Sequence, residues 1–204
     1  MERGKFIVFE GTDGTGKSSH ARWLAEYLQK NGVPCALTFE PTDSEIGALL
    51  RAFLKGEKQA GEKVIASLFL ADRLDHITKQ GGLLDTLNNG INVVCDRYFL
   101  SSVAYNCPSE SPEYVIELNK AATELLTPDL TIYLDMPLEK LSERIAKRQN
   151  VDVYETAEYQ RKVKERYEEG LKSLGSPYVR INSDRAKFDV SRDVENAVRK
   201  IIKI

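Results

Sequence analysis

A three-layer αβα fold, built on a five-stranded parallel sheet, is predicted by three features of this chain of 204 residues. Short β-rich apolar runs alternate with helical patterns, the chain order of right-handed βαβ units and of a parallel sheet covered on both faces. The first four runs each end in or beside a carboxylate: Glu10, Glu40, Asp96 and Asp135. The first run also leads through a glycine-rich turn directly into an amphipathic helix. In parallel sheets ligands bind beyond the carboxyl ends of the strands, so those four residues mark where to look.

The elements follow in order. Phe6 to Phe9 forms the first strand, ending at Glu10. From Lys17 to Lys30 the residues Ala21, Leu24, Ala25 and Leu28 recur at helical spacing, and Gly32 is the stop. Cys35 to Phe39 is the second strand, closed by Pro41, and Glu45 to Leu54 and Glu62 to Gln80 are helical. Ile91 to Cys95, Leu130 to Leu134 and Tyr178 to Ile181 supply the remaining strands, and a last helix carries Val190, Val194, Ala197, Val198 and Ile201. Periodicity does not reveal the strand order. The chain reads as one domain, residues 1–204, in which the charged stretch 144–156 runs off a helix and makes a short lid.

Charge and composition narrow the function. Twenty-nine Lys and Arg against 31 Asp and Glu give a net charge of −2, which argues against a nucleic acid polymer or an anionic membrane as the main partner. The longest nearly apolar run, Val64 to Ala71, is far too short to span a bilayer. Three widely spaced cysteines, Cys35, Cys95 and Cys107, suit reduced thiols, and a cytoplasmic location is expected.

The strongest motif is Gly11-Thr12-Asp13-Gly14-Thr15-Gly16-Lys17-Ser18, which matches GxxxxGK[ST] between a strand and a helix. Glycines let the backbone curl so that successive N–H groups point at phosphate oxygens, and the helix N-terminus adds positive potential. Lys17 then offers a charge between the β and γ phosphates of ATP, and the Ser18 hydroxyl a ligand for Mg²⁺. Guanine-reading and switch motifs are missing: Asp96 and Asp135 are followed three positions later by Phe99 and Leu138 rather than glycine. Arg97 occupies the position where a hydrolysing ATPase carries a water-orienting carboxylate, and an arginine there suits a second anion, an acceptor phosphate. Such an acceptor is already ionised at neutral pH and needs no general base, so His20 and His76 are read as surface or packing residues.

The stretch Val94-Cys95-Asp96-Arg97-Tyr98-Phe99-Leu100-Ser101-Ser102-Val103-Ala104-Tyr105-Asn106 resembles the signature of thymidylate kinases. The resemblance extends to the glycine loop with Asp13, to Glu40-Pro41, to Leu68-Phe69 with Arg73, and to Leu134-Asp135. It implies a P-loop nucleoside monophosphate kinase that uses Mg-ATP to phosphorylate dTMP, working as a homodimer. Gly11 to Ser19, including Ser19 itself, would hold ATP. Phe69 would stack on thymine, Arg73 would bond its carbonyl edge, and Tyr105 would crowd the 2′ position. Asp13 would sit near the acceptor 3′-hydroxyl, Arg97 would hold the acceptor phosphate, Glu40 and Ser101 would join the acceptor site, and Asp96 would lie near Mg²⁺.

Gly14 stands where some members carry an arginine, so the implied transition-state cation comes from the lid: Arg144, Lys147 or Arg148, with Arg148 preferred. The resemblance also implies an adenine pocket closed near the last strand, where Asn182 and Ser183 would lie. Phe39, Asn106 and Asp152-Val153 depart from common family residues. Two other readings stay open at this point: a deoxynucleoside kinase with Glu40 as base, and an ATP-binding regulator without turnover.

Overall fold

The computed structural model describes residues 2–106, 109–146 and 157–204. Strand β1 (Phe6–Glu10) is followed by α1 (Lys17–Lys30), β2 (Cys35–Phe39), α2 (Glu45–Leu54), α3 (Glu62–Thr78) and α4 (Leu83–Asn88). Next come β3 (Asn92–Asp96), α5 (Phe99–Tyr105), α6 (Pro112–Leu118), α7 (Lys120–Leu125) and β4 (Leu130–Asp135). The chain ends with α8 (Leu138–Ala146), α9 (Ala157–Ser173), β5 (Tyr178–Asn182) and α10 (Lys187–Val198).

All five strands lie parallel in one sheet, in the order β2-β3-β1-β4-β5. Strand β1 is central and buried throughout, because its alternating side chains feed two cores. Phe6 and Val8 join the layer that contains α3, α5 and α9, whereas Ile7 and Phe9 join the layer that contains α1 and α10. From β1 the chain crosses to β2 and β3 on one side, then to β4 and β5 on the other. The carboxyl end of β1 is therefore the switch point at which open α/β sheets form a crevice.

Register brings the functional segments together there. Phe9 pairs with Asp96 and Glu10 with Tyr133, so the glycine loop, the β3 exit and the β4 exit meet in one place. Helix α3 ends at Thr78 rather than Gln80: Lys79 turns to an extended conformation (φ −63°, ψ 158°) ahead of the left-handed Gly81 (φ 72°). Of the lid stretch, Arg144 to Ala146 form the last turn of α8, and Lys147, Arg148, Asp152 and Val153 lie outside the described residues. Among the described residues no helix is long and apolar enough to cross a membrane.

Candidate active site

The glycine loop owes its shape to backbone conformations that side chains resist. Gly11, Gly14 and Gly16 take φ of 142°, 90° and 91°, and a Cβ on Gly11 would lie 2.4 Å from the Leu134 carbonyl oxygen. The Thr12 carbonyl accepts from Thr15 Oγ1 and from Lys17 Nζ, both at 2.8 Å. Lys17 is buried at the start of α1, and desolvation, aided by repulsion from Arg97, lowers its pKa to about 8. Ser18 and Ser19 follow it, exposed, in the same turn.

At the end of β3, Arg97 adopts a left-handed backbone (φ 71°), rare for a residue with a side chain. Two neighbours hold it there: Arg97 N–H donates to the Phe9 carbonyl at 2.9 Å, and Tyr98 N–H donates to Glu10 Oε1 at 2.9 Å. The turn swings the guanidinium back over the loop, where Nη1 donates to Ser101 Oγ at 2.9 Å and Nη2 to the Asp13 carboxylate. Its carbon sits 5.1 Å from the centre of the Tyr105 ring, and Tyr105 Oη accepts from Asp13 N–H at 3.1 Å. Asp13 also lies 3.8 Å from Lys17 Nζ. Two cations and one carboxylate thus share one end of the crevice.

Beneath them Glu10 is fully buried and ties three elements together. It accepts from Tyr98 and Ser101 N–H on the α5 side, from Ser101 Oγ at 2.6 Å, and from Tyr167 Oη of α9 at 3.1 Å. Burial raises the Glu10 pKa against the lowering effect of Ser101 and Arg97. Asp135 is engaged separately, bound to Lys164 of α9 at 2.7 Å and Arg180 of β5 at 3.0 Å.

A cavity of about 350 Å³ opens on the α3 side of Arg97, within the range of roughly 300–1,000 Å³ common for small-ligand clefts. Its walls bring together all seven residues expected in the acceptor site: Asp13, Glu40, Phe69, Arg73, Arg97, Ser101 and Tyr105. Phe69 is half-buried there, so its ring is not consumed by core packing. Arg73, one helical turn on, is 1 % exposed and almost fully engaged. Its Nε donates to Glu40 Oε2 at 2.9 Å, Nη2 to Ser102 Oγ at 3.0 Å, and Nη1 to Asn119 Oδ1.

Several partners in this site were given no role by the sequence. Asn119 lies 46 positions from Arg73, and Ser102 looked like any small residue in a short helix. His76, read as a surface or packing residue, bonds Glu40. His20, given the same reading, is buried with Nδ1 3.2 Å from Ser191 Oγ. At the other end of the crevice, Ser183 donates both N–H and Oγ to the Asp135 carbonyl, and Asn182 Oδ1 accepts from Asp184 N–H. Arg144 bridges the gap, donating to the Gly14 carbonyl at 3.5 Å and the Ser183 carbonyl at 3.3 Å.

Asp96 Oδ1 is buried without a hydrogen-bond partner, an arrangement that a cation or its water shell would satisfy. One such carboxylate, with the exposed Ser18 hydroxyl in the first turn of α1, would suit a Mg²⁺ ion that arrives largely coordinated by polyphosphate and water.

A strand–glycine-loop–helix unit with a buried lysine, joined to a separate cavity that shares an arginine with it, has places for a phosphate donor and for a second, anionic ligand. Fold and site together define a P-loop kinase. The family model for thymidylate kinase matches residues 9–194. A thymidylate kinase of Desulfotalea psychrophila is 34 % identical over 205 residues, covering 98 % of this chain and 97 % of that protein. A probable thymidylate kinase of Methanococcus maripaludis is 38 % identical over 90 % of this chain and 81 % of its own length. Another, of Pyrococcus horikoshii, is 41 % identical over 81 % and 82 %. The chain belongs to the thymidylate kinase family.

Proposed function

We propose that the protein transfers the γ-phosphoryl group of Mg-ATP to dTMP, giving dTDP. The observation that carries this reading is the single cavity between Phe69 and Arg97, whose wall includes Asp13 of the glycine loop. An aromatic face, an arginine edge and a second arginine are set there in the order base, base edge, phosphate. An oxygen of the acceptor phosphate attacks the γ phosphorus, the bond to the β–γ bridging oxygen breaks, and the electron pair leaves on ADP. No proton has to be removed first, so the protein's task is to align two polyanions and neutralise their charge.

In this reading Lys17 serves the donor phosphates and Arg97 exchanges Asp13 for the acceptor phosphate. Phe69 stacks on thymine, Arg73 addresses its carbonyl edge, and Tyr105 closes the space beside the sugar. Glu40 and Ser101 brace the two arginines. Gly11 to Ser19 hold ATP, with Ser18 and Asp96 toward Mg²⁺, whose charge offsets that of the phosphates. Arg148 of the 144–156 lid supplies the remaining positive charge, and residues 1–204 act as one domain. A cytoplasmic homodimer completes the proposal, supported by family membership and by the free, buried Cys35 and Cys95.

The decisive assay offers Mg-ATP with dTMP, dUMP, dCMP, dGMP, UMP or thymidine and follows ADP release. Fast turnover with dTMP supports the reading. A response to thymidine alone would replace it with a nucleoside kinase, and silence throughout would point to a regulator.

Two further results are expected. Arg73→Ala should raise the KM for dTMP at least about tenfold and lower stability by about 3 kcal/mol, because the buried Glu40 charge loses its partner. Unchanged dTMP kinetics in the folded variant would show that Arg73 does not address the acceptor. Lys17 in the free protein loses its proton near pH 8, and bound polyphosphate favours the ammonium and lifts the pKa again. Mg-ATP binding at about pH 8.5 should therefore take up a proton, visible by calorimetry in buffers of different ionisation enthalpy, and uptake should fade toward about pH 7 where the free protein already holds it. Equal uptake at both values would contradict this assignment.

A further inference from the structure

Helix α3 presents Phe69, Asp72, Arg73 and His76 at i, i+3, i+4 and i+7, a single stripe facing the chain that leaves β2. Asp72 receives Thr42 N–H at 2.8 Å, Thr42 Oγ1 at 2.6 Å and Ser44 Oγ at 2.9 Å, which anchors the far end of that segment. His76 reaches its near end with both ring nitrogens: Nδ1 lies 3.1 Å from Glu40 Oε1, and Nε2 lies 2.8 Å from Thr38 Oγ1. A ring that only filled space would not be matched at both nitrogens.

The Arg73–Glu40 pair shows what this contact does. Arginine and carboxylate favour a two-pronged pair, each oxygen taking one N–H. Here Nε at 2.9 Å and Nη2 at 2.8 Å both converge on Oε2, and Oε1 belongs to His76. That division rotates the guanidinium so that Nη1 meets Asn119 and Nη2 also meets Ser102, with its carbon 5.0 Å from the centre of the Tyr98 ring.

We infer that His76 is a positioning residue for the acceptor site: its Nδ1–H holds one oxygen of Glu40 and so sets the angle at which Arg73 faces the cavity. The inference rests on the reading of that cavity as the acceptor site, and it adds a residue that touches no substrate. Without the histidine donor, Oε1 is buried and unsatisfied. The carboxylate turns to offer both oxygens to Arg73, and the guanidinium tilts with it.

Three variants test this. Asparagine places an N–H donor where Nδ1 sits, glutamine places one where Nε2 sits, and leucine places none. With the monophosphate that the unsubstituted protein uses, His76→Gln and His76→Leu should raise the acceptor KM about tenfold, the scale of one hydrogen bond to a charged group. His76→Asn should stay within about threefold, and the KM for ATP should move less than about twofold in all three. Equal effects of asparagine and glutamine, parallel rises in both KM values, or no rise would each overturn the proposal. If the leucine variant fails to fold, the asparagine–glutamine contrast decides alone. Because the acceptor is whichever monophosphate is turned over, failure with dTMP alone sinks the proposed substrate and leaves this comparison readable. Silence with every monophosphate sinks both.

Discussion

Lys17→Ala is expected to lower kcat about 10³-fold with any acceptor, the loss associated with removing one preorganised donor from a charge-developing centre. The expectation follows from where the ammonium sits. It is buried against the Thr12 carbonyl, 3.8 Å from Asp13, at the first residue of α1. Lys17 in the free protein is therefore already desolvated, and its pKa of about 8 records the cost. Phosphate oxygens would take the place of water that burial has removed, and low local dielectric would strengthen that attraction relative to a surface lysine. Single-turnover phosphoryl transfer at saturating ATP and dTMP is the measurement. A variant that keeps more than about a tenth of the wild-type rate would show that the charge acts elsewhere.

Arg97→Ala is expected to lower kcat/KM for dTMP by about 10²- to 10³-fold, with a smaller change in ATP affinity. Arg97 both lines the proposed acceptor cavity and bonds the Asp13 carboxylate of the glycine loop. Removing it takes away the proposed acceptor-phosphate contact and a partner of Asp13, so neighbouring negative charges then repel the incoming ligand. Arg97→Lys retains the charge but loses the fork, and should recover only part of the activity. Similar fold losses for dTMP and for ATP binding would place Arg97 on the donor side instead.

The sequence displayed the scaffold better than the wiring. Strands buried on both faces must be continuously apolar, so Phe6–Phe9 and Leu130–Leu134 announced themselves, and Lys17–Lys30 was bounded by its own periodicity and by Gly32. The order β2-β3-β1-β4-β5 was hidden because it depends on pairings between distant segments. The seven residues expected at the acceptor site, which line one cavity, were named through a resemblance spread along the chain: Arg97, Ser101 and Tyr105 through the long 94–106 signature, the others through short matches that are weak on their own. What escaped was the bonding behind them, including that of Glu10, which the sequence marked only as a strand-end carboxylate. Glu10 sits below Arg97 and Tyr98, while His76, Ser102 and Asn119 secure Glu40 and Arg73 through contacts between residues far apart in sequence. No local pattern encodes a hydrogen bond between helices. The left-handed turn at Arg97 was invisible for a related reason, since the glycine that would normally advertise it is absent.

That turn sets durability against function. A residue other than glycine held at φ 71° stores on the order of 1 kcal/mol or more of conformational strain, tolerated because the rest of the fold overrules it. Selection for heat resistance alone, blind to turnover, would drive position 97 toward glycine, and the gain in robustness would coincide with loss of the proposed phosphate grip. A long-lived but inert descendant of this enzyme would be recognisable by that single exchange.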